Sequence, residues 1–169
     1  MIEPHLVHVQ WFPDYAGYAH GSALPLPFAP VRAKSAQPSA IHVLMIEDDP
    51  SIAEMYRFQL EHDGYTVTVA TTGEVAFSAL SGSTPDVVLL DLLLPDRSGF
   101  EVLQVLNERF PAHPPVVILS NYGEPSMIDR GRELGAVEYL VKSRVTPSDI
   151  SAQIPKWAEM GRGRGRGDS

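Results

Sequence analysis

The sequence predicts an α/β fold in which a five-stranded parallel sheet is covered by helices on both faces, and three observations carry that prediction. Five short apolar runs, at residues 41–46, 65–70, 86–90, 116–119 and 138–141, have strand length and are rich in β-branched residues. The segments between them carry apolar residues three and four apart, the period of a helix with one buried face. The connections are short, so each strand feeds a helix that packs back on the sheet by a right-handed crossover.

Residues 41–46 read as the first buried strand. Pro50 suits a first helical turn, where its missing N–H is not needed, and the helix it opens presents Ile52, Met55, Tyr56 and Leu60 on one face before Gly64 closes it. After the strand at 65–70, Thr72 has the side-chain oxygen to cap a short helix with Val75, Ala76, Ala79 and Leu80 facing inward. The third strand, 86–90, ends beside Asp91. A helix over 99–109 presents Leu103, Leu106 and then Phe110, and Pro114-Pro115 precede the fourth strand at 116–119. The next helix, 124–134, carries Gly131 inside, at a cost of about 1 kcal/mol relative to alanine, which makes it the weakest of the set. Beyond the strand at 138–141, Thr146 caps a last helix ahead of Pro147 that buries Ile150, Ile154 and Trp157, with Pro155 expected to bend or shorten it.

The 169 residues suffice for one ordinary domain with tails, here 41–160. Residues 1–40 hold six of the fifteen prolines and scattered aromatics without a period, the composition of a disordered leader, or else of a segment whose aromatics dock on the domain or on a partner. His5 and His8 have the spacing of a metal pair but no further ligands nearby. Residues 161–169 alternate Gly with Arg and read as a flexible basic tail. It ends in Arg-Gly-Asp-Ser, similar to an integrin-binding tetrapeptide, which an acidic intracellular domain has little use for. The net charge is -8, and residues 41–160 alone carry -10, which argues against binding to a phosphate backbone. With no cysteine, disulfides, thiolate catalysis and cysteine-based zinc sites are excluded. No apolar run approaches the roughly 18 residues of a membrane span and no secretory signal opens the chain, so a soluble, cytoplasmic protein is expected.

The chemistry gathers at strand ends. Glu47, Asp48 and Asp49 follow the first strand, Asp91 the third, Ser120 the fourth and Lys142 the fifth, the edge at which open α/β sheets bind ligands. Each alone reads as a solvated charge; four strands delivering acid, acid, hydroxyl and ammonium to one edge reads as a site. Crowded carboxylates repel by about 4 kcal/mol per pair at 4 Å and an effective dielectric near 20, so the group calls for a cation or a proton. Mg²⁺, which prefers oxygen ligands, suits it, and Asp91 can then act as a nucleophile toward phosphorus while Lys142 and Ser120 contact phosphoryl oxygens.

Met-Ile-Glu-Asp-Asp-Pro, Leu-Leu-Asp-Leu-Leu-Leu-Pro-Asp-Arg-Ser-Gly, Ile-Leu-Ser-Asn and Glu-Tyr-Leu-Val-Lys together resemble the receiver domain of bacterial two-component response regulators, over about residues 41–160. The resemblance implies a flavodoxin-like, doubly wound (βα)5 sandwich and a phosphoryl group received from a sensor histidine kinase or phosphotransfer protein. It implies Asp91 as phosphoacceptor, Asp48 as direct Mg²⁺ ligand, Glu47 as a companion acting through water, and the Leu93 carbonyl as a further ligand. Asp49 falls just beyond that pair as a flanking acid. Ser120 takes the place of the switch hydroxyl, Lys142 of the phosphate-binding lysine and Tyr139 of the rotating aromatic, although Tyr139 also reads as an edge-strand tyrosine. Pro95 and Gly99 shape the loop after Asp91.

The family usually places a cis-proline after its lysine, whereas Ser143 follows Lys142 here, so a trans bond and a less rigidly aimed lysine are expected. With nothing beyond residue 160 long enough for an output domain, a DNA-binding domain is not expected. The chain reads as a stand-alone, non-enzymatic receiver that signals to a downstream protein. Two alternatives remain: a pseudo-receiver that binds partners without phosphate, and an aspartate-nucleophile phosphatase of the haloacid dehalogenase type. The latter expects a second Asp two residues after the first, where this chain has Leu93.

Overall fold

The computed structural model describes residues 40–164. Strands and helices alternate throughout: β1 His42–Ile46, α1 Pro50–His62, β2 Thr66–Ala70, α2 Gly73–Gly82, β3 Val87–Asp91, α3 Gly99–Arg109, β4 Val116–Ser120, α4 Pro125–Glu133, β5 Glu138–Val141 and α5 Pro147–Arg164. The five strands form one parallel sheet in the order β2-β1-β3-β4-β5. The expected α/β, flavodoxin-like sandwich is therefore present. The leader, with its His5 and His8, and residues 165–169 lie outside the described residues.

Alternation along the strands divides the core in two. Val43, Met45, Val87 and Leu89 point to one face, where Ala53, Tyr56 and Leu60 of α1 and Ile150, Ile154 and Trp157 of α5 cover them. Leu44, Ile46, Val88 and Leu90 point to the other, against Ala76 and Phe77 of α2 and Val102, Leu103 and Leu106 of α3. Two inward assignments fail. Met55 is 48% exposed and Val75 46% exposed, because the buried stripes run through Ala53, Tyr56 and Leu60 in α1 and through Gly73, Ala76 and Phe77 in α2.

Caps set the helix starts. The Asp49 carboxylate accepts the Ser51 and Ile52 amides at 2.8 and 3.0 Å, so the acid flanking the strand-end pair is the N-cap of α1. Thr72 accepts the Val75 amide at 3.1 Å, and Ser98 forms a reciprocal capping box with Glu101. At α5, Thr146 accepts the Asp149 amide at 3.2 Å while the Asp149 carboxylate accepts the Thr146 amide at 2.8 Å. Of the five described α-helices, α4 alone begins without help of this kind, at Glu124, in keeping with its expected weakness. Its Gly131 has a packing reason as well as a propensity cost: a Cβ there would lie 2.8 Å from Ile118 Cδ1 and 3.0 Å from Tyr139 Cδ2.

Pro155 does not shorten α5, which runs eighteen residues, through Pro155 to Arg164. A proline removes the hydrogen bond to the carbonyl four residues earlier, that of Ser151, and here the Tyr65 hydroxyl donates to that carbonyl at 3.1 Å instead. Helix α5 also passes the expected boundary at 160, with Arg162 3.3 Å from Asp86. The first residues of the expected tail are thus helical.

Asp63, just after α1, accepts the Ser151 hydroxyl of α5 and the Gln59 amide at 2.8 Å, with His62 Nδ1 3.1 Å away. These bonds, led by that from Ser151, pull its carboxyl from the ordinary 3.8 to about 2.

Tyr65→Phe should lower stability by about 1–2 kcal/mol by orphaning the Ser151 carbonyl. Adding Pro155→Ala, which restores the helical donor, should recover much of that loss in urea midpoints. Because the Asp63 carboxyl is lower in the folded chain than in the unfolded one, its contribution is present above pH 3.8 and fades as pH falls toward 2. Asp63→Asn should therefore destabilise at pH 6 and flatten the acid slope of denaturation between about pH 4 and 2.

Candidate functional site

Strand register brings the polar ends level. Ile46 pairs with Leu90, which sets Glu47 beside Asp91; Asp91 pairs with Leu119 and Ser120 with Val141, which sets Ser120 and Lys142 at the same edge. Of the polar strand-end groups anticipated from the sequence, Glu47, Asp48, Asp91 and Lys142 meet here, Ser120 ends β4 at the same edge, and Asp49 caps α1.

Asp91, 6% exposed, ends β3, and its Oδ1 accepts the Leu92 amide at 2.7 Å. Lys142 stretches across to it, with Nζ 3.1 Å from Asp91 Oδ2 and 2.6 Å from Glu47 Oε2. All three side chains are under a tenth exposed. Asp48, by contrast, faces solvent. The Lys142–Ser143 bond is trans, as expected without proline, yet the lysine is held firmly by its two carboxylate partners.

Burial raises the Glu47 carboxyl above its ordinary value, and the Lys142 ammonium offsets only part of that. For Lys142, burial works against the charged form, but Glu47 and Asp91 outweigh it and push the ammonium pKa up. The pocket therefore favours a charged lysine.

Glu47, Asp48 and Asp91 each offer an oxygen, and these lie within 4.8 Å of one another, the group among the described residues with the make-up of a metal site. Three carboxylates against one ammonium leave two negative charges, which a dication balances. All-oxygen donors of this kind fit Mg²⁺. Leu93 follows on the exposed loop, its side chain 55% exposed.

Ser120 is fully buried, and its Oγ accepts the Tyr122 amide at 3.1 Å. The half-buried Tyr139 donates its hydroxyl to the Tyr122 carbonyl at 2.7 Å. Tyr122, which the sequence offered no reason to single out, thus links the two. The loop after Asp91 folds tightly back, since a Cβ on Gly99 would lie 2.3 Å from the Asp91 carbonyl oxygen. Gly99 therefore shapes this loop, as its place in the sequence suggested.

The response regulator receiver domain model matches residues 43–154. The chain belongs to the receiver domain family. Among curated proteins, the receiver is similar to the DNA-binding response regulator MtrA of Mycolicibacterium smegmatis, 35% identical over 66% of this chain and 48% of that one. It is also similar to the phosphate regulon transcriptional regulatory protein PhoB of Klebsiella pneumoniae, 35% identical over 68% of this chain and 50% of that one. The chain spans about half the length of these relatives. Among solved structures, the CheY-like receiver domain protein of Methanospirillum hungatei shares the fold at a TM-score of 0.68 and 24% identity, covering 75% of this chain and all of that one. The chemotaxis protein CheY4 of Vibrio cholerae aligns at a TM-score of 0.64 and 26% identity, covering 70% of this chain and 99% of that one. Among the described residues no helix is long and apolar enough to cross a membrane.

Lys142→Met should destabilise the receiver by about 3 kcal/mol at neutral pH, because Glu47 and Asp91 are left buried without a counter-charge. Glu47→Gln in the same chain should restore part of the loss in urea unfolding, by removing one of the two stranded charges.

Proposed function

We propose that this receiver acts in phosphorelay signalling in the cytoplasm, with Asp91 as the residue that accepts a phosphoryl group from a phosphohistidine of a sensor histidine kinase or phosphotransfer protein. The observation that carries this reading is the Lys142 ammonium shared between Glu47 and Asp91 at the mouth of a strand end, 2.6 and 3.1 Å from the two carboxylates. Asp48 and Asp91, with the Leu93 carbonyl, would hold Mg²⁺ directly, and Glu47 through water. When bound, that ion offsets charge on the transferring oxygens.

An Asp91 oxygen bonds to phosphorus as the bond from phosphorus to the donor imidazole nitrogen breaks. The imidazole nitrogen keeps the bonding pair and takes up a proton. Lys142, already poised against Asp91, donates hydrogen bonds to a phosphoryl oxygen, and catalysis is positioning and charge, as such transfers require. The chain is a phosphoacceptor, with at most self-catalysed phosphorylation and dephosphorylation.

The switch runs through Tyr122. When the Ser120 hydroxyl turns toward the new phosphoryl group it releases the Tyr122 amide. Tyr139, bound to the carbonyl of the same residue, loses a fixed partner and turns into the vacated space. The weakly capped α4 then shifts and changes the face it shares with β5 and α5, where a downstream protein target binds.

Ser143 behind Lys142, in place of the family's usual proline, favours one other reading, a receiver that binds partners without phosphate. Radiolabelled acetyl phosphate separates the two. The wild-type chain should take up label in Mg²⁺ and lose it with chelator, and Asp91→Asn should stay at background. Label on the Asp91→Asn protein would refute the nucleophile, and a folded, Mg²⁺-loaded wild type without label would favour the phosphate-independent module.

A further inference from the structure

Residues 92–98, between β3 and α3, form a loop that is closed at its neck and fastened again at its tip. At the neck the Gly99 amide donates to the Leu92 carbonyl at 2.9 Å, and Leu93 and Ser98 make an antiparallel bridge. The tip is held by a different helix. The Asp96 carboxylate leaves its own loop and accepts the first two amides of α2, Gly73 at 3.0 Å and Glu74 at 3.2 Å. These donors have no partner inside the helix, and the next, Val75, is already taken by Thr72.

Arg97 braces the contact. Its Nε lies 3.1 Å from Asp96 and its Nη2 3.3 Å from Glu74, while the guanidinium sits 5.2 Å from the centre of the Phe77 ring. The approach depends on Gly73, where a Cβ would lie 2.9 Å from both Arg97 Cδ and Val102 Cγ2. Burial would raise the Asp96 carboxyl, but the two amides and Arg97 outweigh it and hold the group below its ordinary 3.8.

A loop tied only at its neck can pivot about Gly99; one tied at both ends cannot. Leu93 lies between the two ties, two residues from Asp91. We propose that Asp96 is a positioning residue that clamps the loop tip to α2, fixes the backbone of residues 92–94 beside Asp91, and thereby sets the divalent-cation affinity of the site. This inference rests on the reading of the Asp91 site as a cation-dependent phosphoacceptor. Asp96 touches neither ion nor phosphoryl group and acts through the loop backbone.

The test compares the full-length wild type with Asp96→Ala and Asp96→Asn. Amide hydrogen exchange is followed by NMR without metal, and Mg²⁺ affinity is taken from amide shifts on titration with MgCl2. In Asp96→Ala, exchange at 73–74 and at 92–94 should quicken and Mg²⁺ binding should weaken about tenfold, the effect of losing an outer-shell support. Asp96→Asn keeps one accepting oxygen and should fall between. Acetyl phosphate labelling of Asp96→Ala should drop at low Mg²⁺ and return to the wild-type rate at saturating Mg²⁺, a recovery that a general loss of folding does not produce. Unchanged exchange at 92–94, or a loosened loop with unchanged Mg²⁺ affinity, would overturn the proposal, and a wild type that binds no Mg²⁺ would overturn it together with the reading beneath it. A wild type that binds Mg²⁺ but takes no label would sink the phosphoacceptor reading alone, because the affinity comparison still stands.

Discussion

Lys142 holds its ammonium 2.6 Å from Glu47 and 3.1 Å from Asp91, with all three side chains out of water, and the site depends on that contact. Burying two carboxylates together is unfavourable unless a cation shares the space. The lysine supplies one positive charge and stands at the end of β5, two strands away from β3 and three from β1. Only a sheet whose parallel strands end level can bring those groups together. The register that pairs Ile46 with Leu90 and Ser120 with Val141 provides that. With Asp48 beside them, three carboxylates face one ammonium, and the two negative charges left over make the mouth receptive to a dication, so structural and chemical needs are met by the same four side chains.

Stiffness is unevenly distributed around this centre. The loop after Asp91 is tied at Gly99 and again through Asp96, whereas the loop after Ser120 is held by single bonds at Tyr122, one to its amide and one to its carbonyl. Helix α4, which follows that loop, has no side-chain cap and buries only Gly131. That contrast suits the proposed switch, in which a new charge would have to move something without losing the geometry that received it. On the opposite face α1 and α5 are bound tightly through Asp63, Ser151, Tyr65 and the buried Trp157, which leaves a stable platform.

Much of this was legible in the chain. Apolar runs separated by helical periods marked all five strands and five helices, and Thr72, Thr146 and Pro50 marked helix starts because capping chemistry is local. Asp48, Asp91, Ser120 and Lys142 were visible as chemistry at strand ends. Other features were not. Met55 and Val75 carry the right character for a core, but the phase of a helix against its sheet is set by neighbours, and both face water. Pro155 looked like a breaker because its missing donor is a local fact, while the hydroxyl that compensates comes from Tyr65, across the fold. Asp49 read as an acid flanking the site pair, and its role as the cap of α1 came only with the structure, while neither Asp96 nor Tyr122 had a sequence signal beyond its neighbourhood.

By itself, then, the sequence determined which segments are strands and helices, which side chains are available for chemistry and at which end of the sheet they stand, because periodicity and capping act over a few residues. Tertiary structure alone decided that one lysine serves both Glu47 and Asp91, that α2 receives the tip of the Asp91 loop, and that Tyr65 completes α5. Those are contacts between groups from about twenty to nearly a hundred residues apart, and their existence depends on strand register and on close approaches at Gly73 and Gly99 that no local pattern encodes.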